Sequence, residues 1–240
     1  MSDSFNFKDG EVLLFDKSYG LTSFSIVNRV RGIIKRKLKV KKIKVGHAGT
    51  LDPLATGLLV VCTGKATKTI ASIQDAEKEY TGTITLGATT PSYDLETEVN
   101  ETFPVHHITD ELIHQTAEGF IGEHDQMPPI FSAKQVDGKR AYDLARAGKE
   151  VKLNTKRITI NEFEVVSVLR KEDTVEVDFR VACSKGTYIR SLAFDFGKAV
   201  NSGGYLSALR RTRIGKYSVK DTITADQFQF LLHGDESQNL

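Results

Sequence analysis

The order of apolar and polar residues along the chain predicts both strands and helices. Apolar residues that alternate with polar ones, or that form a short continuous run, indicate strands, whereas apolar residues three or four positions apart indicate helices. The strand patterns cover residues 11–15, 57–62, 81–86, 157–169 and 174–183. The helix patterns cover residues 23–36, 64–73, 109–120, 225–232 and a stretch that ends near residue 200. At 240 residues, we expect one domain or one domain with an insertion.

One segment, Gly46–Gly57, does not fit either pattern. It contains three glycines and one proline, and it leads directly into the apolar run Leu58–Val61. Glycine tolerates backbone angles that other residues avoid, and Pro53 biases Asp52 toward an extended conformation. We therefore expect a stiff loop that presents one carboxylate ahead of a buried strand. The residues alone leave open a second interpretation, an ordinary loop in which Asp52 only caps a turn.

Basic residues are concentrated immediately before this loop. The formal net charge of the chain is only +2, so the position of the cations matters more than their sum. Such a run is often a solvated surface, but cations that neutralise phosphates also supply much of the affinity for nucleic acids. The proximity of the run to Asp52 favours nucleic-acid binding over a solvated surface. The run comprises Lys35, Arg36, Lys37, Lys39, Lys41, Lys42 and Lys44.

Several classes of protein are excluded by what the sequence lacks. It contains two cysteines, no His-Glu-x-x-His or Cys/His cluster, and no Gly-x-Ser-x-Gly motif. We therefore expect no metal site and no serine hydrolase chemistry. The N-terminus has no signal-peptide pattern, and no apolar run approaches the ~20 residues of a membrane span. These features predict a cytoplasmic protein that does not bind a membrane.

The segment Gly46–Gly57 resembles the catalytic motif of the bacterial TruB family, the tRNA pseudouridine-55 synthases. Two further segments support the resemblance. Asp16–Ser23 is similar to the family segment Asp-Lys-Pro-x-Gly-x-Ser/Thr-Ser, with Ser18 where proline is usual, and residues 126–142 resemble the RNA-gripping thumb of the stand-alone bacterial enzymes. The resemblance covers residues 10–232.

The resemblance implies a fold and a domain organisation. The expected fold is α+β, the pseudouridine synthase fold, with a central mixed, largely antiparallel sheet flanked by helices. Residues 1–232 would form the catalytic domain, with a thumb insertion at about 124–152. Residues 233–240 would be a tail, and the chain would lack a full C-terminal PUA domain.

The resemblance also assigns a reaction, the isomerisation of uridine-55 in the TψC arm of tRNA to pseudouridine. Asp52 would be the nucleophile on a flipped-out uridine, attacking C1′ of the ribose or C6 of the base, or would act as a base in a glycal route. Arg190 would pair with this carboxylate and keep it ionised. Tyr80 would stack on the uracil and take part in proton removal from C5.

The remaining assignments concern binding. The residues that contact the substrate would be Lys17, His47, Tyr188 and Leu209. The residues that contact RNA would be Lys39, Lys41, Lys42, Lys134, Lys139 and Arg140. No cofactor is expected, because an isomerisation involves no net redox change or hydrolysis. The expected partner is the TψC stem-loop of tRNA, bound by a monomer.

Two other functional classes remain open for comparison. A tRNA-binding or tRNA-folding module, whose catalysis is dispensable, would keep the basic and aromatic residues without needing an ionised Asp52 beside Arg190. A small-molecule enzyme would use the glycine-rich loop for phosphate, and its site would have the size of a metabolite.

Overall fold

The computed structural model describes residues 5–132, 135–136, 139–140 and 153–234. The chain divides into two compact units. We call Met1–Glu79 together with Arg210–Leu240 the terminal unit, and Tyr80–Leu209 the central unit. Within the described ranges, no helix has the length and apolar character needed to cross a membrane.

Strands and helices follow one another along the whole chain. The strands are β1 (Val12–Lys17), β2 (Val45–His47), β3 (Thr56–Thr63), β4 (Lys78–Leu86), β5 (Ala88–Thr89), β6 (Glu101–Thr102), β7 (Gly122–Gln126), β8 (Gln135–Val136), β9 (Lys139–Arg140), β10 (Lys156–Arg170), β11 (Val175–Cys183), β12 (Gly204–Ile214) and β13 (Tyr217–Ser218). The α-helices are α1 (Ser23–Leu38), α2 (Ile70–Asp75), α3 (Asp110–Gly119), α4 (Ile189–Ala199) and α5 (Ala225–His233), and short 3₁₀ helices span Gly64–Thr69 and Val219–Asp221.

In the terminal unit, β3 lies between β1 and the end of β12. β1 and β3 are antiparallel, with Val12 opposite Cys62, and β2 also pairs antiparallel with β3. The end of β12 is parallel to the start of β3. Every residue of β3 after its first is buried, as expected for a strand covered on both faces.

The core of the terminal unit forms where α1 and α5 pack beside these strands. One side of α1 buries Ile26, Val30 and Ile34, the helical spacing that the sequence predicts. Phe228 of α5 is fully buried, and its ring meets the Phe15 ring edge-on at 5.4 Å. Aromatic rings therefore join the helix to the first strand.

In the central unit, the strand order is β12, β4, β11, β10 and β7. Only the part of β12 up to Leu209 and the part of β4 from Tyr80 onward belong to this unit. β10 pairs antiparallel with both β11 and β7. Phe163 and Phe196 pack together at 5.6 Å between ring centroids and form part of the unit's core. The prediction of an α+β fold with a mixed sheet flanked by helices is confirmed.

Most predicted elements lie where the pattern places them, with one difference in type. Residues 64–73, predicted as one helix, form a 3₁₀ helix followed by the short α2. The hydroxyls of Thr67 and Thr69 donate to the carbonyls of Gly64 and Ala66, at 2.8 Å each. Side chains that bond back to the main chain in this way compete with α-helical hydrogen bonds, which explains the tighter turn.

The aromatic contact of α5 generates a stability prediction. Phe228→Ala should lower the free energy of unfolding by about 3–5 kcal/mol, because it leaves a cavity among rings that cannot close around it. Urea denaturation measures the change. The matched control is Phe230→Ala on the same helix, where the residue is 64% exposed and the effect should be small. Equal losses in the two variants would contradict this account of the core.

Candidate active site

The loop that carries Asp52 connects two antiparallel strands, β2 and β3. Gly57, the second residue of β3, has a φ of 98°, and a Cβ at this position would lie 2.3 Å from the main-chain oxygen of Arg211. Any other residue would be strained there and would clash with the neighbouring strand. The glycine in the motif is therefore required by the backbone, and Asp52 itself is half-buried.

Ser23 holds the backbone immediately before Asp52. The Ser23 hydroxyl donates to the main-chain oxygen of Leu51 at 3.0 Å and accepts from the main-chain nitrogen of Leu51 at 2.8 Å. Both partners are buried. One side chain thus satisfies both main-chain groups of the residue that precedes the carboxylate.

Lys17 holds the backbone immediately after Asp52. The side chain is fully buried (0% exposed), and its ammonium donates to three carbonyls, including that of Pro53 at 3.2 Å. The other two are those of Ser18 at 3.1 Å and Leu21 at 2.7 Å. The Pro53 carbonyl also accepts from the main-chain nitrogen of Gly20 at 2.8 Å. The turn before α1 and the Asp52 loop therefore share one buried cation.

Arg211 holds the remainder of the loop from β12. It is 1% exposed, and its guanidinium donates only to main-chain oxygens among the hydrogen bonds described. The acceptors are Leu58 at 2.9 Å, Gly49 at 3.0 Å and Thr50 at 3.4 Å. Together, Lys17, Ser23 and Arg211 fix the loop on both sides of the carboxylate.

Burial and nearby charges alter the acidity of Lys17. Burial lowers the pKa of its ammonium to about 8, the Asp52 carboxylate opposes this change, and the Arg211 guanidinium adds to it. The structure thus brings together Lys17 and Asp52, two of the residues that the sequence assigns to the site. The nearby carboxylate favours the charged form of the Lys17 ammonium.

His47 lies in β2, at the start of the same loop. Burial lowers the pKa of its imidazole, the backbone of Gly49 opposes the change, and the Arg211 guanidinium adds to it. The Nδ1 atom is buried and has no hydrogen-bond partner among the residues that the structure describes. A neutral ring with an unused polar atom can form a hydrogen bond with a ligand.

A second group of predicted site residues lies in the central unit, at the start of α4. Arg190 is 5% exposed, and its Nε lies 3.5 Å from Oδ2 of Asp94. Its two terminal nitrogens donate to the main-chain oxygens of Ser92 at 3.2 Å and Phe131 at 3.0 Å. The guanidinium is therefore held in a fixed orientation.

Tyr188 precedes Arg190 at the N-cap position of α4. Its main-chain nitrogen donates to the side-chain oxygen of Gln126 at 2.8 Å, and the Gln126 amide donates to the Tyr188 carbonyl at 3.0 Å. This reciprocal pair satisfies two main-chain groups at the helix start. Tyr80 is buried in β4, and Leu209 is half-buried in β12.

The predicted RNA-contacting residues are only partly described. Lys41 and Lys42 are exposed and contribute to a concave basic surface with a volume of about 480 Å³. This surface, which we call the basic groove, is lined by Arg31, Lys35, Lys41, Lys42, Ile43 and Lys44. Lys39 is exposed at the end of α1. Lys134 and residues 141–152 of the predicted thumb lie outside the described residues, and only the backbone of Lys139 and Arg140 is described.

Three residues of these groups were not predicted as site residues from the sequence. Arg211 is one of three arginines in β12, and nothing local distinguishes the buried one. Asp94 belongs to an acidic stretch without a motif, and Ser23 fits a helix cap, a position that Thr22 occupies. The described residues contain no cluster of three or more His, Cys, Asp or Glu side chains that could hold a metal ion.

Comparison with known proteins identifies relatives over most of the chain. The family model described as TruB family pseudouridylate synthase (N terminal domain) matches residues 35–189. A protein of Flavobacterium johnsoniae named tRNA pseudouridine synthase B is 55% identical over 222 residues, which cover 92% of this chain and 95% of that protein. A Mycobacterium protein with the same name is 45% identical over 90% of this chain and 71% of its own length.

Two solved structures are similar to this chain with a TM-score of 0.64. One is the archaeal box H/ACA sRNP Nop10–Cbf5 complex, 25% identical over 98% of this chain and 57% of that chain. The other is a Cbf5–Nop10–Gar1 complex, 29% identical over 95% of this chain and 56% of that chain. The protein is therefore an enzyme with the pseudouridine synthase fold. The chain belongs to the TruB family of pseudouridylate synthases, which confirms the resemblance of its loop motif.

The buried Lys17 generates a prediction about pH. Its pKa is about 8 in the folded protein, against 10.5 in an unfolded chain. Between these values the unfolded chain retains a proton that the folded protein has released, so the free energy of unfolding should rise with pH. Below pH 8 both states are protonated, and the destabilisation by the buried charge is constant.

Urea denaturation at a series of pH values tests this prediction. The rise between pH 8 and 10.5 should be smaller in Lys17→Met than in the wild type. Lys37→Met, which removes an exposed lysine from α1, should retain the full rise. An identical pH dependence in Lys17→Met and the wild type would contradict the assignment.

Proposed function

We propose that this enzyme converts uridine-55 in the TψC arm of tRNA to pseudouridine, with Asp52 as the nucleophile. The observation that carries the proposal is the attachment of the Asp52 loop: Ser23 binds the residue before the carboxylate and Lys17 binds the residue after it. Holding a reacting group in one orientation is a major source of rate acceleration. A simple RNA-binding module does not need a single carboxylate fixed in this way.

The proposed reaction exchanges one bond of the uracil for another. Asp52 attacks C1′ or C6, or removes a proton in the glycal route, and the bond between N1 and C1′ breaks. The uracil then rotates and C5 bonds to C1′. The bond between Asp52 and C1′ or C6 breaks, or in the glycal route the removed proton returns to the ribose, so that the carboxylate is regenerated. The C5 proton is lost while N1 gains one. Atoms and electrons balance without an oxidant, a reductant or a water molecule.

The other site residues receive supporting roles in this proposal. Tyr80 would stack on the extruded uracil and assist the loss of the C5 proton, and Arg190 would stabilise the ionised carboxylate; both roles rest on motif positions. Tyr188 and Leu209 would line the uracil pocket. His47, neutral and with a buried nitrogen that lacks a partner among the described residues, would hydrogen-bond to the everted nucleotide or to its neighbour.

The choice of tRNA as substrate has two supports. The relatives that are 51–55% identical to this chain are named tRNA pseudouridine synthase B. In addition, the basic groove places five cations on one concave surface, and phosphate neutralisation by such cations drives RNA binding. The location in the cytoplasm and the monomeric state stay predictions of the sequence.

The first experiment tests the nucleophile. The wild type is incubated with unmodified tRNA, and modified positions are mapped by carbodiimide-induced reverse-transcription stops. We expect one stop at position 55, and none with Asp52→Asn, which should still bind the tRNA. Asp173→Asn, an exposed aspartate of the central unit, serves as the matched control and should keep full activity.

Two outcomes would contradict this proposal. Product formation by Asp52→Asn at the wild-type single-turnover rate would remove Asp52 from the nucleophile role. A wild-type enzyme that binds tRNA but makes no pseudouridine would favour the RNA-folding module.

The second experiment tests the basic run. Replacing Lys39, Lys41 and Lys42 with glutamate should weaken tRNA binding and flatten its salt dependence, because each lost phosphate contact lowers the slope of log K against log[salt] by about 1. Reversing the exposed Lys8, Lys68 and Lys220 makes the same change in net charge and should alter the slope less. Equal slopes of log K against log[salt] for the two triple variants would show that the basic run is an ordinary solvated surface.

A further inference from the structure

Tyr93 has a backbone conformation that is unusual for its type. Its φ is 64°, in the left-handed region that glycine and asparagine occupy most readily. Its main-chain nitrogen donates to the carbonyl of Thr90 at 3.1 Å, and its carbonyl accepts from the nitrogen of Leu206 at 3.0 Å. A bulky aromatic residue in this conformation is maintained only where surrounding contacts impose it, and such residues cluster at functional sites.

The side chain of Tyr93 forms an aromatic stack. Its ring lies on that of Phe194 in α4, with centroids 4.0 Å apart and an interplanar angle of 16°. The Nζ of Lys198 lies 5.4 Å from the centroid of the Phe194 ring. Burial raises the pKa of the Tyr93 phenol, and the nearby Asp195 carboxylate raises it further, so the ring is neutral at physiological pH.

The residues on either side of Tyr93 both hold Arg190. The carbonyl of Ser92 accepts from one terminal nitrogen of the guanidinium, and the Asp94 carboxylate lies 3.5 Å from its Nε. The backbone of Asp94 is fixed as well, because its carbonyl accepts from the hydroxyl of Thr90 at 2.7 Å. The conformation of Tyr93 therefore sets the separation and direction of two groups that orient one cation.

We propose that Tyr93 is a positioning residue for the pseudouridine reaction. Its stack on Phe194 ties the 90–94 loop to α4, the helix that carries Arg190, and so holds Ser92 and Asp94 in place against the guanidinium. The proposal rests on the proposed role of Arg190 in catalysis. A turn alone would not require an aromatic ring, because glycine or asparagine would adopt the same φ with less strain.

The test separates the ring from the backbone conformation. Tyr93→Gly relieves the left-handed strain but removes the stack, so it should fold normally and yet lower the single-turnover rate constant by about tenfold to a hundredfold. The dissociation constant for tRNA should stay unchanged, because Tyr93 acts through Arg190. Tyr93→Phe keeps the ring and should retain the wild-type rate.

Two further variants define the origin of the effect. Phe194→Leu should reproduce the loss, and the double variant Tyr93→Gly with Phe194→Leu should lose no more than either single one, as expected for residues that act as a unit. Leu95→Gly introduces flexibility at an exposed position immediately after the 90–94 loop and should leave the rate near the wild-type value. An equal loss in Leu95→Gly would assign the effect to loop flexibility and overturn the proposal.

A measurement without RNA keeps this test independent of the proposed reaction. The NMR signal of the Arg190 Nε–H group should be protected from exchange with water in the wild type and in Tyr93→Phe, and should exchange faster in Tyr93→Gly. Unchanged exchange in Tyr93→Gly would overturn the proposal even if the enzyme acts on tRNA. Faster exchange would support the positioning even if the wild type acts on another RNA.

Discussion

Main-chain carbonyls hold the buried cations around the Asp52 loop, and the geometry of the candidate site depends on this interaction. Burying a lysine or an arginine costs several kcal/mol unless hydrogen bonds compensate it. Lys17 and Arg211 offset part of that cost with hydrogen bonds to carbonyls of the loop and of the segments beside it. These hydrogen bonds end on the backbone on either side of Asp52, so the position of the loop is set by main-chain groups as well as by the charged side chains.

The central unit uses a related arrangement for Arg190. Among the described partners of the guanidinium are two carbonyls and one carboxylate, and the carbonyl acceptors lie 98 and 59 residues away along the chain. A guanidinium has five N–H donors in a rigid plane, so three acceptors in different directions leave it one orientation. In each unit, a charged side chain is thus oriented by backbone groups whose positions follow from the sheet and its connections. The precision of the candidate site is a property of the fold.

The sequence predicts those parts of the structure whose causes are local. The extent of α1 follows from its apolar spacing and from Thr22, which caps it, and the Asp52 loop follows from its glycines and Pro53. The partners of that loop do not follow, because Arg211 is 162 residues from Gly49 and resembles its neighbouring arginines until β12 pairs with β3. The conformation of Tyr93 could not be predicted from the sequence either, because the ring of its stacking partner, Phe194, is 101 residues away along the chain.

In the basic run, a turn at the end of α1 brings lysines that are close in sequence onto one surface. A continued helix would distribute Lys35 to Lys44 around its circumference, as on many solvated helices. Here α1 ends because Lys39 adopts φ of 52°, and the nitrogen of Val40 returns to the carbonyl of Lys35. This turn brings Lys41 and Lys42 to the same groove as Arg31. Cations gathered in this way repel one another, and a polyanion that enters the groove relieves the repulsion. The end of α1 thus makes the basic run a better site for a phosphate backbone than its charge alone would.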